Sequence, residues 1–201
     1  MTEIEEAVKI LKSGGILVYP TDTVYGLAVD ATNVQAVKKL YQLKGRTFKN
    51  PIHVIFPSGN EILKTVALNT TALKLMNKFW PGPLTIVLPL KAKGKSWQML
   101  SANSGTIGIR YPANQTVHEL VELLGRPITT TSANLSGHND CYSINEVEQQ
   151  FAKSSRQPDF YLDGGKLKRT KPSTVVLITN NHVKILRPGP VSEIQINKAL
   201  K

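Results

Sequence analysis

The chain has 201 residues, of which 41% are hydrophobic, so it can bury a core and is not expected to be disordered. Its 25 Lys and Arg residues outnumber its 14 Asp and Glu residues, and the formal charge of +11 favours a polyanionic ligand, with a merely soluble basic protein as the alternative. The single cysteine, Cys141, excludes a disulfide framework, and without a signal-peptide or membrane-spanning pattern we expect a cytoplasmic protein.

The first half of the chain alternates helix and strand patterns. A capping box of Thr2 and Glu5 begins a helix that stops at Gly14, and Asn33 can cap another helix through Leu43. Between and after these helices lie short apolar runs typical of strands. The predicted elements are helices at 3–13, 34–43 and 70–79, a further helix start at Ser58, and strands at 16–20, 24–29, 52–56 and 84–90.

The second half continues the alternation. Strands are predicted at 106–112 and 127–131, with a helix ending at Gly125 between them and a further helix capped by Ser143. The runs 174–179 and 182–186 flank Asn180-Asn181, a pair typical of a type I′ hairpin. Alternating helices and strands with such a hairpin predict an α/β fold with a mixed sheet, and without a linker we expect one domain over residues 1–201.

Several familiar catalytic sites find no support in the sequence. The GKS segment at 94–96 follows a strand, but the first glycine of a phosphate-binding P-loop would fall on Pro89. The four histidines lack metal-ligand spacing, and no dedicated carboxylate cage for a metal is visible. No GxSxG motif surrounds Ser132 or Ser136, so a serine nucleophile is not expected.

The segment PITTTSANLSG (127–137) is instead suited to binding. It places five hydroxyls and one amide at the end of a predicted strand, where open α/β sheets bind ligands. Such groups can hold phosphate, ribose or base atoms without proton transfer. The alternative is an ordinary polar turn, which needs fewer such residues.

Two basic segments could supply positive charge. Lys44 and Arg46 follow a helix and, in extended chain, share a face that could grip phosphate; a solvated helix end is the alternative. Since both positions are polar and precede a loop, we expect their replacement by alanine to leave the fold intact. The loop 164–172 could cover a phosphate ligand, contact RNA, or simply be solvated.

Together these motifs resemble the YrdC/TsaC-type threonylcarbamoyl-AMP synthases. The resemblance follows the family order over residues 20–189 and includes the K-x-R and S-x-N signatures. It implies a twisted mixed sheet with flanking helices and a basic concave surface, in the short, single-domain form. The segments that carry it are PTDTVYGLAVDA (20–31), KGR (44–46), FWPGPLTIVLP (79–89), TIGIRYP (106–112), TSANLSG (131–137), PSTVV (172–176) and ILRPG (185–189).

The resemblance implies a reaction in which L-threonine, bicarbonate or CO2, and ATP give threonylcarbamoyl-AMP and pyrophosphate. Mg²⁺ would arrive with the ATP phosphates, and the product would serve a tRNA threonylcarbamoyl transferase complex, with RNA contact as a further expectation. A carbamate attacking the α-phosphate needs positioning and positive charge and no protein nucleophile. The hydroxyl-rich segment would then cradle the substrates.

The family pattern also implies site residues. Lys44 and Arg46 would be catalytic. L-Threonine would be bound by Thr23, Arg110, Thr130 and Ser173. ATP would be bound by Lys44, Arg46, Asn50, Thr106, Ser132, Asn134 and Arg187.

The chain departs from the family pattern at four positions. Ile55 stands where many members have His, although His53 would share its face, and Asp140 replaces a serine and is left out of the predicted site. Thr47 and Leu177 replace a frequent proline and an aspartate. Two other functions are conceivable: a non-catalytic RNA-binding module with the same basic cleft, and a carbamoyl-adenylating domain of the hydrogenase-maturation type, which normally lies in a longer chain with zinc-finger cysteines.

Overall fold

A nine-stranded mixed sheet organises residues 2–201, the part of the chain that this computed structural model describes. The strands lie in the order β7-β1-β2-β6-β3-β5-β4-β8-β9. Their bounds are β1 Leu17–Tyr19, β2 Gly26–Ala28, β3 His53–Ile55, β4 Leu84–Pro89, β5 Thr106–Arg110, β6 Ile128–Ser132, β7 Phe160–Tyr161, β8 Thr174–Thr179 and β9 His182–Arg187. The predicted single domain begins at Met1, which lies outside the described residues.

The sheet is mixed, as the sequence predicts. The pairs β1–β7, β3–β5 and β4–β8 are parallel, and the pairs β1–β2, β2–β6, β3–β6, β4–β5 and β8–β9 are antiparallel. Strand β6 joins the two halves, because it pairs with β2 on one side and with β3 on the other. The hydroxyl-rich segment therefore lies near the middle of the sheet.

Eight helices flank the sheet in the described part of the chain. Their ends follow local rules: Thr2 and Glu5 close the predicted capping box, and Gly125 ends a helix in the left-handed conformation with φ of 67°. The bounds are α1 Glu3–Lys12, α2 Val34–Leu43, α3 Gly59–Thr65, α4 Thr70–Phe79, α5 Lys95–Leu100, α6 Gln115–Leu124, α7 Ile144–Phe151 and α8 Glu193–Leu200. None of the helices among residues 2–201 is long and apolar enough to cross a membrane.

The two faces of the sheet are covered differently. On one face, α2, α4, α5, α7 and α8 pack apolar side chains such as Leu40, Leu75 and Phe151 over the strands. On the other face, α1 and α6 contribute to a smaller core that includes Ile55 and Ile128. The remainder of this second face carries polar side chains of β3, β4, β5 and β6. A partly covered face of a twisted sheet is a natural place for a cleft.

Most predicted elements are confirmed. Asn180 and Asn181 have φ of 48° and 63° and join the antiparallel strands β8 and β9, so the predicted type I′ hairpin is present. Three elements were not predicted. Strand β7 has only two residues and α5 only six, so both are too short to show a repeated hydrophobic pattern. Helix α8 is preceded by a capping box of Ser192 and Gln195 that the sequence analysis did not use.

Candidate functional site

A cleft of about 330 Å³ lies on the partly covered face of the sheet. Strand pairing brings its wall together: Ser132 lies opposite Gly26, and Thr130 opposite His53. Arg110 lies opposite Thr85, which in turn pairs with β8. Seven of the eleven predicted site residues line this cleft, namely Thr23, Arg46, Arg110, Thr130, Ser132, Ser173 and Arg187. The other four, Lys44, Asn50, Thr106 and Asn134, are not part of its lining.

Arg110 lies deep in the cleft and is held by the loop between β1 and β2. Its Nη2 donates to the Asp22 carboxylate and, at 3.0 Å, to Thr23 Oγ1. Burial lowers the pKa of the Arg110 guanidinium, and the Asp22 carboxylate opposes that effect. Arg110 is thus a charged group whose charge is balanced by a neighbour.

Hydroxyl groups surround this arginine. Thr85 Oγ1 and Ser173 Oγ are 2.9 Å apart, and Thr130 lies on β6, which is separated by β3 from the strand of Arg110. These hydroxyls can both donate and accept, so they can adapt to a polar ligand. The four residues predicted to bind threonine, Thr23, Arg110, Thr130 and Ser173, therefore line the same cleft.

Arg46 and Arg187 form the other charged part of the cleft. Arg46 donates from Nε to Asn50 O at 3.2 Å and from Nη2 to Pro51 O at 2.9 Å. Arg187 donates from Nε and Nη2 to Ser173 O at 3.1 and 2.9 Å. Burial lowers the pKa of both guanidinium groups. Their partners are neutral carbonyl groups and, for Arg187, also the Ser173 hydroxyl, which leave the positive charge available to an anion.

Lys44 is buried, with only 2% of its surface exposed. Its Nζ donates to Ser132 O at 2.6 Å, to Asn134 O at 2.7 Å and to Asn134 Oδ1 at 3.0 Å. Burial, together with the nearby Arg46 charge, lowers the pKa of Lys44 to about 7. This burial argues against the expectation that Lys44 can be removed without disturbing the fold, because its ammonium ties the end of α2 to the S-x-N loop.

Asn134 is likewise occupied by contacts within the chain. Its Oδ1 also accepts from Ser132 Oγ at 2.7 Å, and its Nδ2 donates to His138 O at 2.7 Å. The S-x-N signature thus forms a closed hydrogen-bonded turn with Lys44 at its centre. Of its two named residues, Ser132 lines the cleft and Asn134 supports it from behind.

Asn50 and Thr106 lie outside the lining of the cleft. Asn50 is exposed, and its carbonyl is shared by Arg46 and by Tyr41 Oη. Thr106 begins β5, four residues from Arg110 on the same side of the strand, which corresponds to a distance of about 13 Å. A ligand longer than the cleft itself would be required to contact both ends of β5.

His53 lines the cleft and was not assigned to the site from the sequence. Its ring lies over Gly108, so closely that a Cβ on Gly108 would be 2.3 Å from His53 Cδ2. Burial, with the charges of three nearby arginines, lowers the pKa of His53 to about 3, so the ring is neutral at physiological pH. Ile55 is buried in the small core under α1 and α6.

Asp22 was also missed, although it lies within the quoted motif PTDTVYG. The sequence signal was its position beside Thr23, but nothing in the pattern indicated its partner, because Arg110 is 88 residues away. Asp140, which was left out of the predicted site, is not among the residues that line the cleft.

The basic loop 164–172 borders the cleft. Tyr25 Oη donates to Gly165 O at 2.7 Å, and Tyr142 Oη donates to Thr170 O at 2.8 Å. Thr170 Oγ1 contacts Thr23 O at 3.3 Å, and the loop leads directly into Ser173 in the cleft wall. Its lysines are exposed, so the loop places positive charge beside the opening.

Several known proteins are similar to this chain in sequence. The family model Sua5/YciO/YrdC, described as "Telomere recombination", matches residues 9–189. The chain is 34% identical over 197 residues to the threonylcarbamoyl-AMP synthase of Pyrococcus abyssi, covering 96% of this chain and 56% of that relative. This chain therefore spans little more than half the length of that protein.

Solved structures show the same fold. P. abyssi Sua5 in complex with L-threonine superposes with a TM-score of 0.90 at 32% identity, covering 99% of this chain and 58% of that one. Escherichia coli YciO superposes with a TM-score of 0.82 at 28% identity, covering 96% and 91%. The matching model over residues 9–189 and these relatives show that the chain belongs to the Sua5/YciO/YrdC family.

Proposed function

We propose that this protein is an enzyme that makes threonylcarbamoyl-AMP from L-threonine, bicarbonate or CO2, and ATP, with release of pyrophosphate. The threonylcarbamoyl-AMP would serve the threonylcarbamoylation of tRNA. The observation that carries the proposal is the division of the cleft. One part holds a charge-balanced arginine among hydroxyls, and the other holds two arginines bound only to neutral carbonyl and hydroxyl groups. The relatives named threonylcarbamoyl-AMP synthase and the P. abyssi structure with L-threonine support it.

The reaction requires two anions to meet. A carbamate oxygen of the carboxylated threonine attacks the α-phosphorus of ATP, a new P–O bond forms, and the bond to the bridging oxygen breaks as pyrophosphate leaves. Arg46 and Arg187 are placed to neutralise the phosphates during this exchange. No protein nucleophile takes part in this scheme, and the low pKa of His53 makes its ring a weak base, so positioning and charge supply the catalysis.

The two substrates would occupy different parts of the cleft. The threonine carboxylate would pair with Arg110, and Thr23, Thr130 and Ser173 would bind its polar atoms. Ser132 would bind ATP beside the two free arginines, while Asn50 and Thr106 would contact the part of the nucleotide that extends beyond the cleft. Lys44 and Asn134 would act by holding Ser132 in place, since their polar atoms are already bound.

Magnesium would enter with ATP. Among residues 2–201 no group of three His, Cys, Asp or Glu side chains is placed to hold a metal ion. Guanidinium and hydroxyl groups do not provide the carboxylate oxygens that Mg²⁺ prefers in proteins, so the donor set does not fit a protein-held ion. The phosphates themselves are the fitting ligands for it.

The product would be passed to a tRNA threonylcarbamoyl transferase complex in the cytoplasm. The exposed lysines of loop 164–172 beside the cleft are compatible with RNA contact. A purely RNA-binding function is not favoured, because the cleft is a small concave pocket lined by hydroxyls, without the exposed aromatic stacking surface of single-stranded RNA-binding modules.

Pyrophosphate release tests the proposal. The purified chain is incubated with ATP, Mg²⁺, threonine and bicarbonate, and each component is withheld in turn. We expect release only in the complete mixture, with AMP recovered in threonylcarbamoyl-AMP and no ADP formed. Release that continues without threonine would contradict the mechanism, and RNA binding with no release under any condition would favour the RNA-binding module.

A further inference from the structure

The three arginines of the cleft differ in their partners. Arg110 is paired with a carboxylate, whereas Arg46 and Arg187 donate only to backbone carbonyls and to the Ser173 hydroxyl within residues 2–201. All three side chains contribute to the wall of the same cleft. Two anionic ligands that enter the cleft would therefore meet the neutral Arg110–Asp22 pair in one part. In the other part they would meet the positive charges of Arg46 and Arg187, which no carboxylate balances.

The ion pair that makes this difference is buried. The side chains of Arg110 and Asp22 are 7% and 10% exposed. Water screens a charge pair poorly at such depth, so the carboxylate cancels most of the field of the guanidinium. A lone buried guanidinium would in contrast attract any anion of suitable size, and phosphates more than carboxylates because they carry more charge.

The pair also leaves part of Arg110 available. Nη2 carries both contacts, to Asp22 and to Thr23, and Nη1 forms no hydrogen bond within the described chain. Arg110 lines the cleft, so a ligand carboxylate can still be bound by Nη1. The arrangement suits a ligand with a single carboxylate, because the pair as a whole carries no net charge.

We propose that Asp22 is a specificity-determining residue that sorts the two substrates by charge: by neutralising Arg110, it reserves that part of the cleft for the amino-acid carboxylate and directs phosphate groups to Arg46 and Arg187. This inference rests on the proposed function and deepens it. Asp22 orients and neutralises Arg110 and takes no part in the bond-making step.

The test removes the charge of the Asp22 side chain and keeps its shape. In Asp22→Asn the side chain has nearly the same size but no charge, and Asp22→Glu keeps the charge. Asp30 is a buried carboxylate that pairs with the exposed Arg126 and does not line the cleft, so Asp30→Asn is the control for the loss of a buried carboxylate. Calorimetry measures threonine binding with and without inorganic pyrophosphate, and pyrophosphate binding by itself.

We expect pyrophosphate to bind the wild-type chain at one site and to leave threonine affinity nearly unchanged. In Asp22→Asn a second pyrophosphate should bind, and threonine affinity in its presence should fall about tenfold, because Arg110 is then an open anion site. Asp22→Glu and Asp30→Asn should behave as the wild type. Equal pyrophosphate stoichiometry and competition in wild type and Asp22→Asn would overturn the proposal.

A converse variant keeps the test decisive if Asp22→Asn does not fold. Ser173→Asp places a carboxylate beside Arg187, whose Nη2 is 3.1 Å from Ser173 Oγ. By the same reasoning it should weaken pyrophosphate binding about tenfold. Unchanged pyrophosphate affinity would count against charge sorting. Failure of the wild-type chain to bind threonine at all would contradict the proposed function, while the pyrophosphate stoichiometry would still decide the role of Asp22.

Discussion

Lys44 and Arg46 are two residues apart and have the same sign of charge, yet the fold uses them in different ways. The Lys44 ammonium is enclosed and donates to three oxygens of the S-x-N loop. The Arg46 guanidinium is partly exposed and lines the cleft. Glycine at position 45, with φ of 59°, turns the chain between them and so separates their directions. One residue supports the site from within, and the other faces the ligand.

We expect Lys44→Ala and Arg46→Ala to have opposite profiles. Lys44→Ala should lower the free energy of unfolding by about 1–3 kcal/mol, because three oxygens of the S-x-N loop lose the Lys44 ammonium as a donor. Arg46→Ala should change stability by less than about 0.5 kcal/mol and weaken ATP binding roughly ten- to a hundredfold, as the loss of a charged contact predicts. Urea unfolding and ATP calorimetry measure the two effects. Equal destabilisation by both substitutions would refute the distinction.

The burial of Lys44 also predicts a pH dependence of stability. Its pKa in the fold is about 7, below its ordinary value of 10.5, so between these pH values the unfolded chain holds a proton that the folded chain has released. Stability therefore gains from rising pH across this window. Arg46 lowers this pKa, and Asp140 and Cys141 raise it, so these groups stay constant in the comparison.

Lys44→Met should remove this gain. Urea unfolding of both proteins from about pH 6 to about pH 10 should show a smaller rise of stability with pH in the variant, whatever its absolute stability. The difference between the two curves isolates the lysine from all other titrating groups. Parallel curves would show that the Lys44 ammonium is not desolvated as its contacts indicate.

At the scale of strands, the contact between β3 and β5 depends on residue 108 being a glycine. Gly108 leaves the space in which the His53 ring lies, and a methyl group there would meet the ring at 2.3 Å. Gly108→Ala should destabilise the fold by about 1–3 kcal/mol through overpacking and displace His53 in the cleft wall. Chemical denaturation measures the first effect and threonine calorimetry the second.

A double variant and a control sharpen this prediction. His53→Ala combined with Gly108→Ala should recover much of the lost stability, because the clash disappears with the ring. Gly59→Ala is the matched control, since nothing lies within 4 Å of its added Cβ and it lies in helix α3. Strict additivity of the His53 and Gly108 substitutions would show that the two residues do not press on each other.

Local rules predicted the elements well where they act over a few residues. The Thr2–Glu5 capping box, the Gly125 helix end and the Asn180-Asn181 hairpin each depend on neighbours within one turn of chain, so the sequence displays them directly. The strand order could not be read in the same way. Gly26 pairs with Ser132, and Leu84 with Thr174, so these contacts are decided by packing between distant segments.

For the site, too, the sequence indicated the residue types but not the long-range contacts between them. Threonines, serines and arginines of the family motifs line one cleft, as expected for Thr130 and Ser132 on one side of β6. The sequence did not reveal that Lys44 and Asn134 bind each other, nor that Asp22 pairs with Arg110. Motifs report which residue types are present, whereas the direction of each polar group depends on tertiary contacts.

At the scale of the whole molecule, the excess of positive charge determines how salt should affect ligand binding. The chain carries a formal charge of +11, and two of the three cleft arginines lack an acidic partner within residues 2–201. ATP affinity should therefore fall steeply between low and about 0.5 M salt, while threonine affinity should change little, because Arg110 is already paired. Calorimetry at several salt concentrations checks this expectation, and an equal salt dependence for both ligands would argue against it.

The position of β6 has a consequence for synthesis of the chain on the ribosome. The cleft needs Thr23 from the first hairpin and both Ser173 and Arg187 from β8 and β9, with β6 joining the two halves. Pairing over such long separations forms slowly and late. The nascent protein would thus be unable to hold ATP until the segment 173–187 has emerged, so adenylation begins only once the sheet is whole.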